Sequence, residues 1–403
     1  MRRVWIQVHL LIGLSAGAIF VVMGLSGSVL VFNQAVDRWL NPQQLTAPLG
    51  ETWKSLDELV AAARAAEPAR AGPAALEWPY DDRGALVVWF KDPATAREGE
   101  KADWFEVDVD PYTGKALGAR SYTGHLTGFL YELHESLMAG SAGEVLVALT
   151  GVLLAVSLAT GAYLWWPRSG RMLQAFSFQD RSHPVQRHLD LHRLTGVVCL
   201  MVLMVVALSG VGVIYREEIP PLLNEMVTVR HWPGELNSTL RPDTPPLSAS
   251  QIVAIARQRF PGSTVRWLDF PVDATDVFRI GLRNPQEPAG AGAAATDRLW
   301  LDQYTGELLA ERDWQAFSSI DKVLSVMIDL HNGQAFGLPG RVIVCLAGLA
   351  LPVLYVTAIR MWWLKRIARR RKPATVQAME PSRRSPPFSA SSDPTETPSD
   401  LAR

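Results

Sequence analysis

Four stretches of the chain, 4–36, 145–167, 194–215 and 342–359, contain no Asp, Glu, Lys or Arg. Each is long enough, or nearly so, to cross a hydrocarbon core of about 30 Å as a helix. They are much longer than buried strands and lack the polar face that a soluble bundle helix keeps toward water. The pattern therefore predicts an α-helical membrane protein with four spans. Between the spans the periodicity changes. "SLDELVAAARAA" (Ser55 to Ala66) and "SASQIVAIARQRFPG" (Ser248 to Gly262) carry apolar residues at helical spacing behind a serine N-cap. After them come alternating runs, "GALVVWF" and "WFEVDVD" in one region, "VFRIGL" and "RLWLD" in the other, which read as strands, with "DPYTG" as a hairpin turn.

The chain is written twice. His9 and Gly13 correspond to His192 and Gly196, Leu25-Ser26-Gly27 to Leu208-Ser209-Gly210, and Phe32 to Tyr215, all at one constant offset. A second constant offset relates Leu133-His134 to Leu330-His331, Gly143 to Gly340, Gly151 to Gly348, Thr160 to Thr357, and Trp165-Trp166 to Trp362-Trp363. "DVDPYTGKAL" and "WLDQYTGELL" end the two intervening regions. The repeated unit is thus span, extracytoplasmic α+β module, span, and the predicted fold class is a four-helix transmembrane bundle built from two parallel repeats with two such modules. The predicted order is a first helix (1–36), a first module (37–132), a second helix with its preceding His segment (133–167), a loop (168–187), a third helix (188–216), a second module (217–329), a fourth helix with its His segment (330–364) and a basic, disordered tail (365–403). The insert 284–297 reads as a flexible loop.

Charge distribution gives the orientation. Arg2 and Arg3, the arginines 168, 171, 181, 187 and 193, and "KRIARRRK" (Lys365 to Lys372) flank the same side of the spans, so both termini are expected inside and both modules outside, with the first span retained rather than cleaved. Trp residues near span ends fit the lipid interface. The whole chain, 403 residues with a formal net charge of -1, offers no charge for nucleic-acid binding. Cys199 and Cys345 lie at different depths of their spans and read as packing residues, not a disulfide.

The chemistry suggested by the repeat lies in its histidines. His9 and His192 are equivalent near the inner face, His134 and His331 near the outer face. Ionisable groups at membrane depth are costly enough to mark function. Neutral imidazole is the usual nitrogen ligand of haem iron, and a pseudo-two-fold axis would give a planar tetrapyrrole one equivalent histidine from each half. Gly13 and Gly196, one turn along the same faces, either leave room for a macrocycle or serve close helix packing. Helix length puts two such sites on the order of 20 to 30 Å apart. His188 is an alternative to His192 as ligand, and with His183 leaves an inner zinc or copper site open, although "HLDLH" lacks the glutamate of the zinc-protease motif. His125 and His231 have no partners at ligand spacing and read as surface residues. Neither a dinucleotide fingerprint nor a Ser-His-Asp or Cys-His arrangement stands out, so any reductant must come from another molecule.

In "VHLLIGLSAG", "LSG", "DLHRLTG", "ELHESLMAG", "DLHNGQAFGLPGR" and the two "YTG" modules, the sequence resembles the PepSY-associated transmembrane-helix family of iron-regulated inner-membrane proteins, over essentially residues 1 to 366. The resemblance implies PepSY-like outer domains, two haems b with His9, His134, His192 and His331 as axial ligands, and an inner-membrane reductase that releases iron from a ferric siderophore in the periplasm. It implies membrane lipid, the ferric siderophore and an electron donor, a quinol or a cytoplasmic reductase, as partners, with the catalytic residues undefined. The reading of another class is a non-redox membrane protein whose outer domains bind or regulate a periplasmic protein, its histidines being structural. Metal transport through the bundle is disfavoured by the lack of acidic residues at midspan.

Overall fold

The computed structural model describes residues 1–91, 104–167, 184–216, 218, 219, 222, 233–285 and 297–370. Most of the insert 284–297 and of the loop 168–187, the tail from Pro373, His183 and His231 lie outside the described residues. In chain order the elements are helices α1 (Arg2–Ser15), α2 (Gly17–Leu30), α3 (Asn33–Leu40), α4 (Pro42–Leu45) and α5 (Leu56–Ala66), then strands β1 (Pro73–Glu77), β2 (Leu86–Lys91), β3 (Trp104–Val109) and β4 (Ala116–Ser121). Helices α6 (Leu126–Ser136), α7 (Gly140–Trp165), α8 (Pro184–Ile214) and α9 (Ala249–Arg259) follow, with strands β5 (Thr264–Asp269), β6 (Val277–Arg283), β7 (Asp297–Asp302) and β8 (Leu308–Arg312). The last helices are α10 (Ser319–Ser325), α11 (Met327–Asn332) and α12 (Gly337–Arg370).

Three helical segments, Gly140–Trp165, Pro184–Ile214 and Gln334–Arg369, are long and apolar enough to cross a membrane, and α1 with α2 passes the same test as a pair bent by 59°. The bend has a local cause. Ser15 Oγ donates back to Leu11 O at 2.8 Å, which loosens the turn, and Gly17 follows, with Tyr355 lying against it where a side chain would project. The second copy has Val198 and Leu200 at the equivalent places, and α8 runs unbroken. Ile12, Ala16, Phe20, Leu158, Leu203, Ala347 and Leu351, drawn from all the long apolar helices, form one buried cluster. The contacts obey the repeat. Gly348 lies against Ser28 and Gly24 of the first copy, and its counterpart Gly151 against Val211 and Ala207 of the second. Ser28 Oγ donates to Cys345 O at 2.9 Å across the former contact. Cys199 and Cys345 are free thiols. The residues from Trp362 onward form a separate unit, within which the Arg366 guanidinium lies 5.2 Å from the Trp362 ring.

The α+β regions do not stand apart as two sheets. Their strands make one antiparallel sheet in the order β4-β3-β2-β1-β5-β6-β7-β8, joined where Ala75, Leu76 and Glu77 pair with Asp269, Leu268 and Trp267. Each module alone would expose β1 or β5 as an open edge; pairing the two satisfies both. Helices α5 and α9 cover one face, and Leu59, Ile252, Leu76, Leu268, Val88 and Ile280 share a single core. Ser55 with Glu58 and Ser248 with Gln251 form the reciprocal caps that start these helices. The duplicated "YTG" is a turn device. Asp110 Oδ1 accepts from Tyr112 N at 2.9 Å and Asp302 Oδ1 from Tyr304 N at 2.9 Å, and Gly114 and Gly306 take φ of 74° and 70°, which favours glycine.

Candidate cofactor site

The four repeated histidines come together as two pairs, each drawing one member from each copy. The His9 and His192 ring centroids are 6.2 Å apart, at an interplanar angle of 87°. Those of His134 and His331 are 6.0 Å apart, at 57°. The structure thus fixes a pairing that sequence leaves open.

Every ring is held through Nδ1. His9 Nδ1 is 3.0 Å from Ser157 O and 3.1 Å from Thr160 Oγ1; His192 Nδ1 is 3.1 Å from Leu354 O and 3.0 Å from Thr357 Oγ1. His331 Nδ1 lies 2.9 Å from Val206 O, with Ser209 Oγ at 3.4 Å. His134 Nδ1 lies 3.0 Å from Ser26 Oγ, whose own hydrogen goes to Val22 O at 2.7 Å. A carbonyl only accepts, and hydroxyls that already donate along their helices accept as well. The proton therefore sits on Nδ1 in all four rings, and Nε2 keeps its lone pair. No described hydrogen bond uses any of these Nε2 atoms. Anchoring the far nitrogen on a carbonyl or hydroxyl is how metal-binding imidazoles are fixed in tautomer and orientation.

Glycines shape the outer pocket. A Cβ on Gly27 would stand 2.8 Å from His134 Cε1, and one on Gly210 would stand 2.8 Å from His331 Cε1. Near the inner pair, Gly161 plays a milder version of this part toward His9, at 3.2 Å. Gly13 and Gly196 behave differently. A Cβ on Gly13 meets no atom within 4 Å, and one on Gly196 only Leu354 Cδ2 at 3.7 Å. Close packing among the described residues does not require either glycine.

Sequence reasoning found the histidines but not what holds them. Ser26, Ser209, Gly27, Gly210, Thr160 and Thr357 are all residues that the constant offsets match between copies, and that duplication was the available signal. His188 on α8 lies outside both pairs. Among the described residues, no group of three or more His, Cys, Asp or Glu side chains is arranged to hold a metal ion. His125 is not the surface residue expected. At the N-terminal end of α6, its side chain is 10% exposed, 3.7 Å from Asp37 and against Tyr122.

With the repeat, the histidine pairs and the sheet in place, the profile of one family, PepSY-associated TM region, matches residues 6–365. The chain belongs to this family. It is accordingly a PepSY-associated membrane protein, with long apolar helices joined to an antiparallel sheet domain. No curated protein matches it.

Proposed function

We propose that this PepSY-associated protein is a di-haem b reductase of the inner membrane that passes electrons outward to a ferric siderophore and so releases its iron. The observation that carries the reading is the spacing within the two imidazole pairs. A ligating imidazole nitrogen lies about 2 Å from a first-row metal, so two imidazoles on opposite sides of one ion have ring centroids about 6 Å apart. The separations of 6.2 and 6.0 Å meet that requirement in both pairs. Two protein donors per site, with no third at hand among the described residues, suit a metal whose other donors come from a macrocycle.

His9 with His192 would hold the inner haem and His134 with His331 the outer one. Haem b held in this way supplies one-electron transfer. The chain's own part is to keep each Nδ1 protonated against a carbonyl or hydroxyl, so that Nε2 faces the metal, and to leave space beside Gly13 and Gly196. Iron(III) in a shell of hard oxygen donors is held far less tightly once reduced, so one electron per iron suffices for release. The basic inner segments support a four-helix bundle with cytoplasmic termini and PepSY-like domains in the periplasm. The absence of a dinucleotide fingerprint points to a quinol or a cytoplasmic reductase as donor.

The test is the visible spectrum and haem content of the purified protein. Two haems per chain, with a Soret band and sharp α bands on reduction, are expected. His134→Ala or His331→Ala should each remove the outer haem and leave the inner one. A colourless wild-type preparation overturns the reading and favours a protein-binding role for the sheet domain.

A further inference from the structure

A second group of buried ionisable side chains lies between the first half of the sheet and the helices leading away from the outer histidine pair. Glu106 and Asp108 alternate on β3 and so share one sheet face; both are buried, Asp108 completely. Arg120, opposite Glu106 on β4, donates from Nε to Glu106 and from its two Nη atoms to Asp37 of α3, at 2.9 and 2.6 Å. Asp37 also receives Asn41 Nδ2 at 2.7 Å and lies 3.7 Å from His125 Nε2. Gln44 Nε2 donates to Asp108 Oδ2 at 2.6 Å, whereas Asp108 Oδ1 and His125 Nδ1 are buried without a hydrogen bond among the described residues. Beyond them, Glu77 on β1 receives Trp89 Nε1 at 3.3 Å and feels Arg266. Tyr122 faces the same region, in the field of Tyr131, Glu132 and Glu135 of α6.

Two carboxylates, Asp37 and Glu106, thus hold the Arg120 guanidinium, and a third, Asp108, lies within its field. Were all ionised, the set would be strongly negative in a place largely closed to water, and binding a proton is the cheaper solution. Burial lifts the Glu106 carboxyl, and the Asp108 charge adds to the effect. Burial lifts Asp108 as well, against the opposing Gln44 hydrogen bond and Arg120 charge. Among the described residues no three-donor group is arranged to hold a metal ion here.

We propose that Glu106 and Asp108 together hold one exchangeable proton, and that this proton is taken up and released in step with the charge at the His134–His331 pair, a coupling that rests on the electron-transfer reading above. The connection is physical at both ends. Helix α6 runs from His125, beside Asp37, to His134, about 14 Å along its axis. Helix α3, which carries Asp37, follows directly on α2, whose Ser26 and Gly27 hold the His134 ring. Were a haem held by His134 and His331, one electron from the donor would add one negative charge there. One proton from the outside water then forms one O–H bond on the carboxylate pair, and both charges leave again on oxidation. The intervening protein screens this attraction far less than water does.

The experiment uses the full-length holoprotein in lipid nanodiscs, as wild type, Glu106→Gln and Asp108→Asn. Infrared spectroscopy reads the protonated carboxyl directly, and spectroelectrochemistry reads the outer and inner haem potentials from about pH 6 to about pH 9, the range in which raised carboxyls titrate. A protonated-carboxyl band near neutral pH, lost in at least one variant, is expected, together with an outer potential that falls as pH rises and flattens in the same variant. The inner potential should respond less. Absence of the band in wild type overturns the proton site whatever the haem content. A band that persists with an unchanged outer pH slope in both variants overturns the assignment to Glu106 and Asp108. A haem-free protein that shows the band refutes the electron-transfer reading, and with it the coupling, but supports the proton site.

Discussion

A methyl group at Gly27 or Gly210 would press within 2.8 Å of the Cε1 atom of an outer histidine, closer than real Cβ contacts come. Ser26 and Val206, on the same helices as these glycines, hold the rings through Nδ1, so a ring pushed away by the new methyl also loses its anchor. Gly27→Ala and Gly210→Ala are therefore expected to displace Nε2 and to cut haem content from two per chain toward one, with the inner haem retained. Gly13→Ala is the control, since its new Cβ meets nothing within 4 Å of this chain. If haem fills that space, Gly13→Ala should disturb the inner spectrum while leaving the fold of the haem-free protein unchanged. Circular dichroism and pyridine-haemochrome assays read the two effects. The histidines stand out in the sequence because duplication exposes them. Three of the groups that hold them are backbone carbonyls, Ser157 O, Val206 O and Leu354 O, and a carbonyl has no letter of its own.

At the level of elements, hydropathy locates the spans because membrane solvation depends on length and polarity alone. It does not locate the break between α1 and α2. There the signal is the local "SAG" of Ser15-Ala16-Gly17, absent from the second copy, and a window averaged over a span passes over it. Strands are visible as alternation, but partner choice is not. The β1–β5 pairing joins segments far apart in sequence, and the alternating pattern of each is satisfied whether its edge is open or covered. The clamp of Arg120 on Asp37 and Glu106, which ties α3 to β3 and β4, is another long-range contact. Its removal is expected to be costly. Arg120→Met leaves buried carboxylates without their cation, an event worth about 3–5 kcal/mol, measurable as a lower thermal midpoint in detergent. The clamp also sets a pH dependence. Burial pushes the Asp37 carboxyl up, but the Arg120 hydrogen bonds and charge, with Asn41 and His125, outweigh it and hold the group below the usual carboxylate range. A depressed pKa contributes stability that is present above the unfolded value of about 3.9 and lost as the pH falls through the folded one. Asp37→Asn should therefore flatten the acid limb of a stability–pH profile and leave its alkaline limb unchanged.

At the scale of the whole molecule the two copies interlock, because each histidine pair takes one ring from each of them. The same crossing appears in the packing, where Gly348 of the second copy meets Ser28 of the first and Gly151 of the first meets Val211 of the second. This arrangement makes a prediction about how losses combine. If haem were held within a copy, removing both histidines of one copy, His9 and His134, would spare the other copy's cofactor. In the crossed arrangement those two residues belong to different pairs, so His9→Ala with His134→Ala should abolish both haems. By contrast, His9→Ala with His192→Ala empties one pair twice over and should leave one haem, with the same spectrum as either single variant. Residues that serve one site fail together, and residues of separate sites fail independently. Haem-to-protein stoichiometry across the four single variants and these two doubles separates the arrangements. One haem remaining in the His9/His134 double variant would reject the crossed pairing, because no coordination by pairs drawn across the copies can survive the loss of a ligand from each.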